Sequence, residues 1–203
     1  MSIEISSKDV KKFAASMRRI SKKQMPFAGS KALNDTAFDI RGDEITAINK
    51  YIDRPIPFTK KGVLVKKATK TKLVAFVKIR PAQARYLQWQ VFGGKRLPDN
   101  KAIPVPVGQK VNKYGNMSKS AIKNLIKQKK TFSGVPTGHS KAAGIYRRLG
   151  YKGRKQIKLM VAWEPEADYK PRLPFYEVAN KTVKRVFVKN TDKAVRFAMR
   201  TAR

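Results

Sequence analysis

Val10, Phe13, Ala14, Met17 and Ile20 recur at three- and four-residue steps, which predicts a helix over roughly the first 25 residues with one apolar face. Ser6 or Ser7 suits its N-cap and Asp9 the positive end of its dipole, while Lys11, Lys12, Arg18, Arg19, Lys22 and Lys23 occupy other faces. Pro26 interrupts the pattern and fits the first turn of a second helix, with Leu33, Ala37, Ile40, Ile45 and Ile48 as its buried stripe despite Gly42. Pro55 and Pro57 then exclude helix. The β-rich runs 63–65 and 73–79, joined by the short link 68–72, predict a hairpin. Pro81 starts a short helix to Gln90, and Gly93-Gly94 reads as the turn that closes it.

Residues 95–144 change character. Pro98, Pro104, Pro106, Gly108 and Gly115 punctuate them, a short basic helix is predicted from about 118 to 129 with Ile122, Leu125 and Ile126 on one edge, and 133–140 has loop composition. An insertion with so little core-forming content is expected to be functional or only partly ordered. Strand pattern returns at Gly144-Ile145-Tyr146-Arg147-Arg148 and at 157–163, before a long helical pattern from Pro174 to about Thr201 in which Asn190-Thr191-Asp192 is a candidate break. Strands bracketed by helices, without β-α-β alternation, indicate an α+β fold: a mainly antiparallel sheet of about four strands packed with N-terminal helices and a long C-terminal helix. The expected segments are 1–94, carrying the helices and hairpin, a basic turn-rich insertion 95–143, and 144–203, completing the core of the first.

Charge sharpens this outline. The 203 residues carry 47 Lys and Arg against 13 Asp and Glu, a net charge of +34, yet 41% are hydrophobic, enough to oppose disorder. Residues 61–160 hold 25 bases and one acid, Asp99, so this stretch must stay solvated and self-repelling or lie against something negative. A polyanionic partner is the default expectation, and a freely diffusing metabolic enzyme is not. Cysteine is absent, which removes disulfides and thiolate chemistry. No apolar run approaches the ~20 residues of a membrane span, and Met1-Ser2-Ile3-Glu4-Ile5 lacks the pattern of an export signal, so a soluble, non-exported chain is expected.

Catalytic chemistry finds little support. The only histidine, His139, lies in a Gly/Ser/Pro loop, and metal-ligand spacing is missing. Asp39 and Asp43, one helical turn apart, are expected to pair with Arg41 and Lys50, and Glu164 and Glu166 flank a turn at Pro165. Gly93-Gly94-Lys95 lacks the frame of a phosphate loop. The chain is therefore read as a non-enzyme without cofactor or metal. Lys127, Lys129, Lys130, Arg147, Arg148, Arg154 and Lys155 are the candidate phosphate contacts, which would bind nucleic acid without reading sequence. Tyr114, Tyr146 and Tyr151 lie among these bases and are candidates either for base stacking or for core and turn positions.

Met25-Pro26-Phe27-Ala28 leading into Lys31-Ala32-Leu33-Asn34-Asp35-Thr36-Ala37, then Asp53-Arg54-Pro55 with Pro57-Phe58-Thr59, then Val65-Lys66-Lys67-Ala68-Thr69-Lys70, resembles the minor tail protein Z family of tailed bacteriophages. Gln90-Val91-Phe92-Gly93-Gly94 and Gly144–Arg148 are compatible with the same plan. The resemblance implies a structural virion protein at the neck, the head-proximal end of the tail, assembled in host cytoplasm. It would form a homo-oligomeric ring that mediates head–tail joining, with tail-terminator, head-completion or connector proteins as neighbours and genomic DNA contacted non-specifically. Composition alone equally fits a general nucleic-acid-binding protein of ribosomal or nucleoid type, and the basic amphipathic segment 7–23 also permits a peripheral membrane binder.

Overall fold

The computed structural model describes Lys11, Ala15 and residues 20–136, 142–150 and 156–201. The fold is α+β. A π-helical turn, Ile20–Gln24, leads into α1 (Met25–Tyr51), followed by α2 (Pro57–Lys60), β1 (Val63–Lys66), β2 (Phe76–Ile79), α3 (Pro81–Phe92), β3 (Gly94–Arg96) and β4 (Ile103–Pro106). Next come α4 (Ala121–Ile126), β5 (Thr131–Gly134), β6 (Gly144–Arg148), β7 (Ile157–Glu164), β8 (Ala167–Tyr169) and α5 (Phe175–Arg200). Pro26 sits in the first turn of α1, where a missing amide is tolerated; Pro57 opens α2 in the same way, which corrects the expectation that Pro55 and Pro57 exclude helix. Ser6, Ser7, Asp9, Val10, Phe13, Ala14 and Met17, the expected cap and apolar face of a first helix, lie outside the described residues.

The chain divides into two units, one of residues 1–51, 57–85 and 173–203, the other of 52–56 and 86–172. The division cuts across the expected segments: α5 groups with α1 and the hairpin, while β6 and β7 group with the basic middle.

In the first unit α1 and α5 run antiparallel. Ala28, Ala32, Thr36, Ile40, Glu44 and Ile48, four residues apart, are buried along α1, and Thr182, Asn190, Ala194 and Ala198 along α5. At one end Ala28, Ala32, Ala194 and Ala198 form a cluster with Phe27 and Val195 against it, so only methyl groups separate the helices there. Further along, Asn190 Nδ2 donates to Thr36 Oγ1 at 3.2 Å and Asp39 Oδ2 at 2.8 Å, and Asp43 Oδ2 accepts from Thr182 Oγ1 and Arg185 Nη2, both at 2.5 Å. Two expectations are corrected here. Asn190-Thr191-Asp192 does not break α5, because the Asn190 amide is satisfied by α1 instead of competing for its own backbone. Asp39 and Asp43 meet α5, not Arg41 and Lys50, because their side of α1 faces the second helix; Arg41 Nε donates to Val63 O at 3.1 Å.

The hairpin ladder is shorter than expected, pairing Val63 with Ile79 through Lys66 with Phe76. Asn34 explains why: its side chain accepts from Ala68 N at 2.7 Å and donates to Ala68 O at 3.1 Å, taking the backbone groups that a longer ladder would use.

The second unit holds a four-stranded antiparallel sheet in the order β4-β7-β6-β5 and a separate β3–β8 pair. Residues 103–106 and 131–134, inside the expected turn-rich insertion, thus supply its outer strands. Pro104 and Pro106 are compatible with β4 because an edge strand needs only half its amides. Leu125 of α4, with Ile145, Met160 and Val161 of the sheet, forms the core, flanked by Met117, Ile122 and Trp163. Gly93 and Gly94 make the expected turn with φ of 70° and 105°.

Glu44 is fully buried in α1, neither carboxyl oxygen has a hydrogen-bond partner, and burial, with Asp43 adding to it, pushes its pKa up to about 8. A carboxyl that binds its proton more tightly when folded stabilises the fold below its unfolded pKa of 4.5, and that stability is lost as pH rises towards 8. Urea denaturation should therefore show stability falling across that window by up to about 1.4 kcal/mol per pH unit, a dependence that Glu44→Gln flattens; the same slope in both proteins contradicts this. Ala194 is 0% exposed between the helices, so Ala194→Leu should destabilise by about 1–3 kcal/mol in the same assay.

Candidate nucleic-acid interface

Three amides, those of Val107, Gly108 and Gln109, converge on the carbonyl of Met160 at 3.0, 3.1 and 3.1 Å. Met160 is the extra residue at the irregularity between β6 and β7, where Ile145 pairs with Val161 but Tyr146 with Leu159. The extra residue turns its carbonyl towards the chain leaving β4.

On the other side, α4 ends in a tight turn. Thr131 N donates to Gln128 O at 2.9 Å, and Thr131 Oγ1 donates to both Gln128 O and Leu125 O. This turn leaves Lys127, Lys129 and Lys130 exposed at the start of β5. Thr131 pairs with Arg147, and Arg148 N donates to Lys130 O at 2.8 Å, so the two sequence clusters, roughly eighteen residues apart, meet at one end of the β5–β6 ladder.

They do not share one face. Strand alternation puts Arg147 on the side of Ile145 and α4, where its Nη2 donates to Gln128 Oε1 at 3.1 Å. Arg148 takes the opposite side, its guanidinium 4.6 Å from the Phe132 ring centroid. Lys158 of β7 stands directly opposite Arg147. Sequence reasoning did not single it out, although its place between Ile157 and Leu159 in an alternating strand marks it as outward-facing. Arg154 and Lys155 lie outside the described residues, as do Tyr151 and His139.

Of the two roles open to Tyr146, the core one holds: it is 3% exposed, stacks on Phe132 at 5.7 Å and donates its hydroxyl to Ala142 O at 2.8 Å. Its position opposite Phe132 in the ladder leaves no ring face for a base. Tyr114 is half-buried with Lys113 Nζ 5.2 Å from its ring centroid. Glu166 is bound by Lys95 at 3.0 Å.

What the arrangement offers is cationic density without neutralisation, because residues 100–163 contain no Asp or Glu. Arg147 and Lys158 directly across a ladder repel each other unless an anion intervenes. Among the described residues no helix is long and apolar enough to cross a membrane. Comparison of this chain with family models, curated proteins and solved structures gives no match.

This basic surface depends on close approach of β6 to β7. A Cβ at Gly144 would lie 2.5 Å from Val161 O and 2.6 Å from Leu159 Cδ1. Gly144→Ala should therefore lower the melting temperature and weaken binding to DNA while leaving net charge untouched, as read by calorimetry and fluorescence anisotropy. Undiminished binding by a destabilised variant would show that charge alone, not its placement, carries the interaction.

Proposed function

We propose that this chain is a structural, non-enzymatic protein of a tailed-bacteriophage particle, a tail-completion or neck component at the head-proximal end of the tail. In this reading it forms a homo-oligomeric ring between tail and head proteins and meets the genomic DNA through phosphates, without base readout. The observation that supports DNA binding is the meeting of Lys127, Lys129 and Lys130 with Arg147 and Arg148 at one end of a ladder inside a carboxylate-free stretch. Such a surface holds a polyanion by counterion release and is indifferent to sequence, which suits a lining.

The tail assignment rests on the resemblance over residues 25–70. Two of its segments are joined in the fold, since Asn34 in the first clamps Ala68 in the last. Those segments belong to the α1–hairpin unit, to which the reading gives the binding of neighbouring proteins.

Replacing Lys127, Lys129 and Lys130 together by Gln should shallow the salt dependence of duplex binding by roughly 0.9 in log–log slope for each phosphate that is no longer neutralised, equally on unrelated sequences. An unchanged slope would assign this surface to a protein interface. Electron cryo-microscopy of the assembled particle should find the chain as a ring at the head–tail junction; its absence there would defeat the tail assignment and leave a general nucleic-acid-binding protein.

A further inference from the structure

A cleft of about 310 Å³ opens between α4 and the segment that follows β4. Leu125 and Met160, both almost fully buried, lie at its base, and the accessible lining is mainly polar, with Lys110, Ser118, Asn124, Gln128 and Arg147. No carboxylate lines it. Other clefts differ on this point: those along the α1–α5 seam contain Asp43, and the one at Trp163 contains Glu164.

The cations around this cleft are placed by the backbone. Lys110 directly follows the three amides gathered on Met160 O, and Arg147 is fixed by the β5–β6 register and by Gln128. Lys158 does not line the cleft but lies next to its wall: a Cβ at Gly108, which lines the cleft, would come within 2.9 Å of Lys158 Cε and 2.7 Å of Leu159 O. Glycine there lets the lysine chain lie against the cleft wall. Arg147 and Lys158 are cross-strand neighbours of like charge, an arrangement that is unfavourable until an anion sits beside both.

The geometry points to this cleft as a phosphate site that takes one nucleotide unit, with the phosphate between Lys110 and Arg147 and the sugar or base over Leu125 and Met160. Arg147 offers a planar fork to two phosphate oxygens and Lys110 a point charge. Ser118, Asn124 and Gln128 supply neutral donors to the remaining oxygens. The volume stands at the small end of ligand pockets, roughly 300–1,000 Å³, which fits a single nucleotide and excludes a duplex. As a nucleic-acid site the cleft rests on the function proposed above; as an oxyanion site it stands on its own lining.

Nuclear magnetic resonance titration of the full chain with inorganic phosphate, deoxyadenosine monophosphate and a short oligothymidylate tests it. Saturable shifts are expected at the amides of Gln109, Lys110 and Gln128. Lys110→Gln and Arg147→Gln should each weaken the mononucleotide by about tenfold, whereas Lys184→Gln, an equal loss of charge on exposed α5, should leave it nearly unchanged. Lys110 is exposed, so its variant keeps the test valid if the Arg147 variant fails to fold. Tighter binding of the mononucleotide than of phosphate assigns the site to a nucleotide, and equal binding assigns it to a free oxyanion. Absence of saturation, or an equal effect of Lys184→Gln, overturns the site. Oligothymidylate binding that persists undiminished in both cleft variants removes the cleft from nucleic-acid binding while leaving the surface reading intact. Saturable phosphate with no oligothymidylate or duplex binding upholds the cleft and removes the DNA reading.

Discussion

A stretch of a hundred residues with 25 bases and a single acid can fold only if its cations are kept solvated, or set against an external anion, while its apolar residues find one another. The two units meet this constraint differently. In the α1–α5 unit the acids are internal partners: Asp39 and Asp43 are engaged by Asn190, Thr182 and Arg185 across the helix seam, and Asp35 by Lys31 at 2.9 Å. In the sheet unit a core cluster gathers Leu125, Ile145, Met160 and Val161, and the bases lie at strand ends, turns and a cleft margin. Exposed ion pairs contribute about 0–1 kcal/mol each, so the seam owes its stability to packing and to the satisfied Asn190 network more than to charge. Among the described residues Arg147 and Lys158 have no such acidic partner, so the sheet unit would gain most from a polyanion if one binds there.

Periodicity made much of the fold legible. The helical periodicity of α1 and α5, the alternation of β7 and Pro81 in the first turn of α3 each correspond to an element in place, whereas Pro57, read as excluding helix, opens the single turn α2, where a missing amide is tolerated. What escaped were elements whose sequence carries the opposite local signal. Ile103-Pro104-Val105-Pro106 reads as punctuation, yet it pairs with β7 because an edge strand can spare the amides that proline lacks. Ser133 and Gly134, in the run 133–140 read as loop, end a strand that begins at Thr131, because Thr131 is pinned to the end of α4 and Phe132 stacks on Tyr146. Tertiary partners decided both, and no local window contains them.

The candidate site was legible as composition and only partly as geometry. Lys127–Lys130 and Arg147–Arg148 are neighbours, but alternation separates Arg147 from Arg148 onto opposite faces. Lys110 and Lys158 join Arg147 through a bulge at Met160, a register feature without a sequence signature of its own. Glu44 shows the same limit in the other unit: it occupies the i+4 row of α1 where an apolar residue would be expected, and burial, not sequence, determines its protonation.

Lysine acetylation footprinting of the full chain with and without DNA, read by mass spectrometry, tests most directly whether the sheet unit faces a polyanion. Lys110, Lys127, Lys130 and Lys158 should be strongly protected by DNA, while Lys181, Lys184 and Lys189 on α5 should react as before. Equal protection on both units, or none on the first set, would contradict a placed basic surface and leave only undirected attraction by net charge.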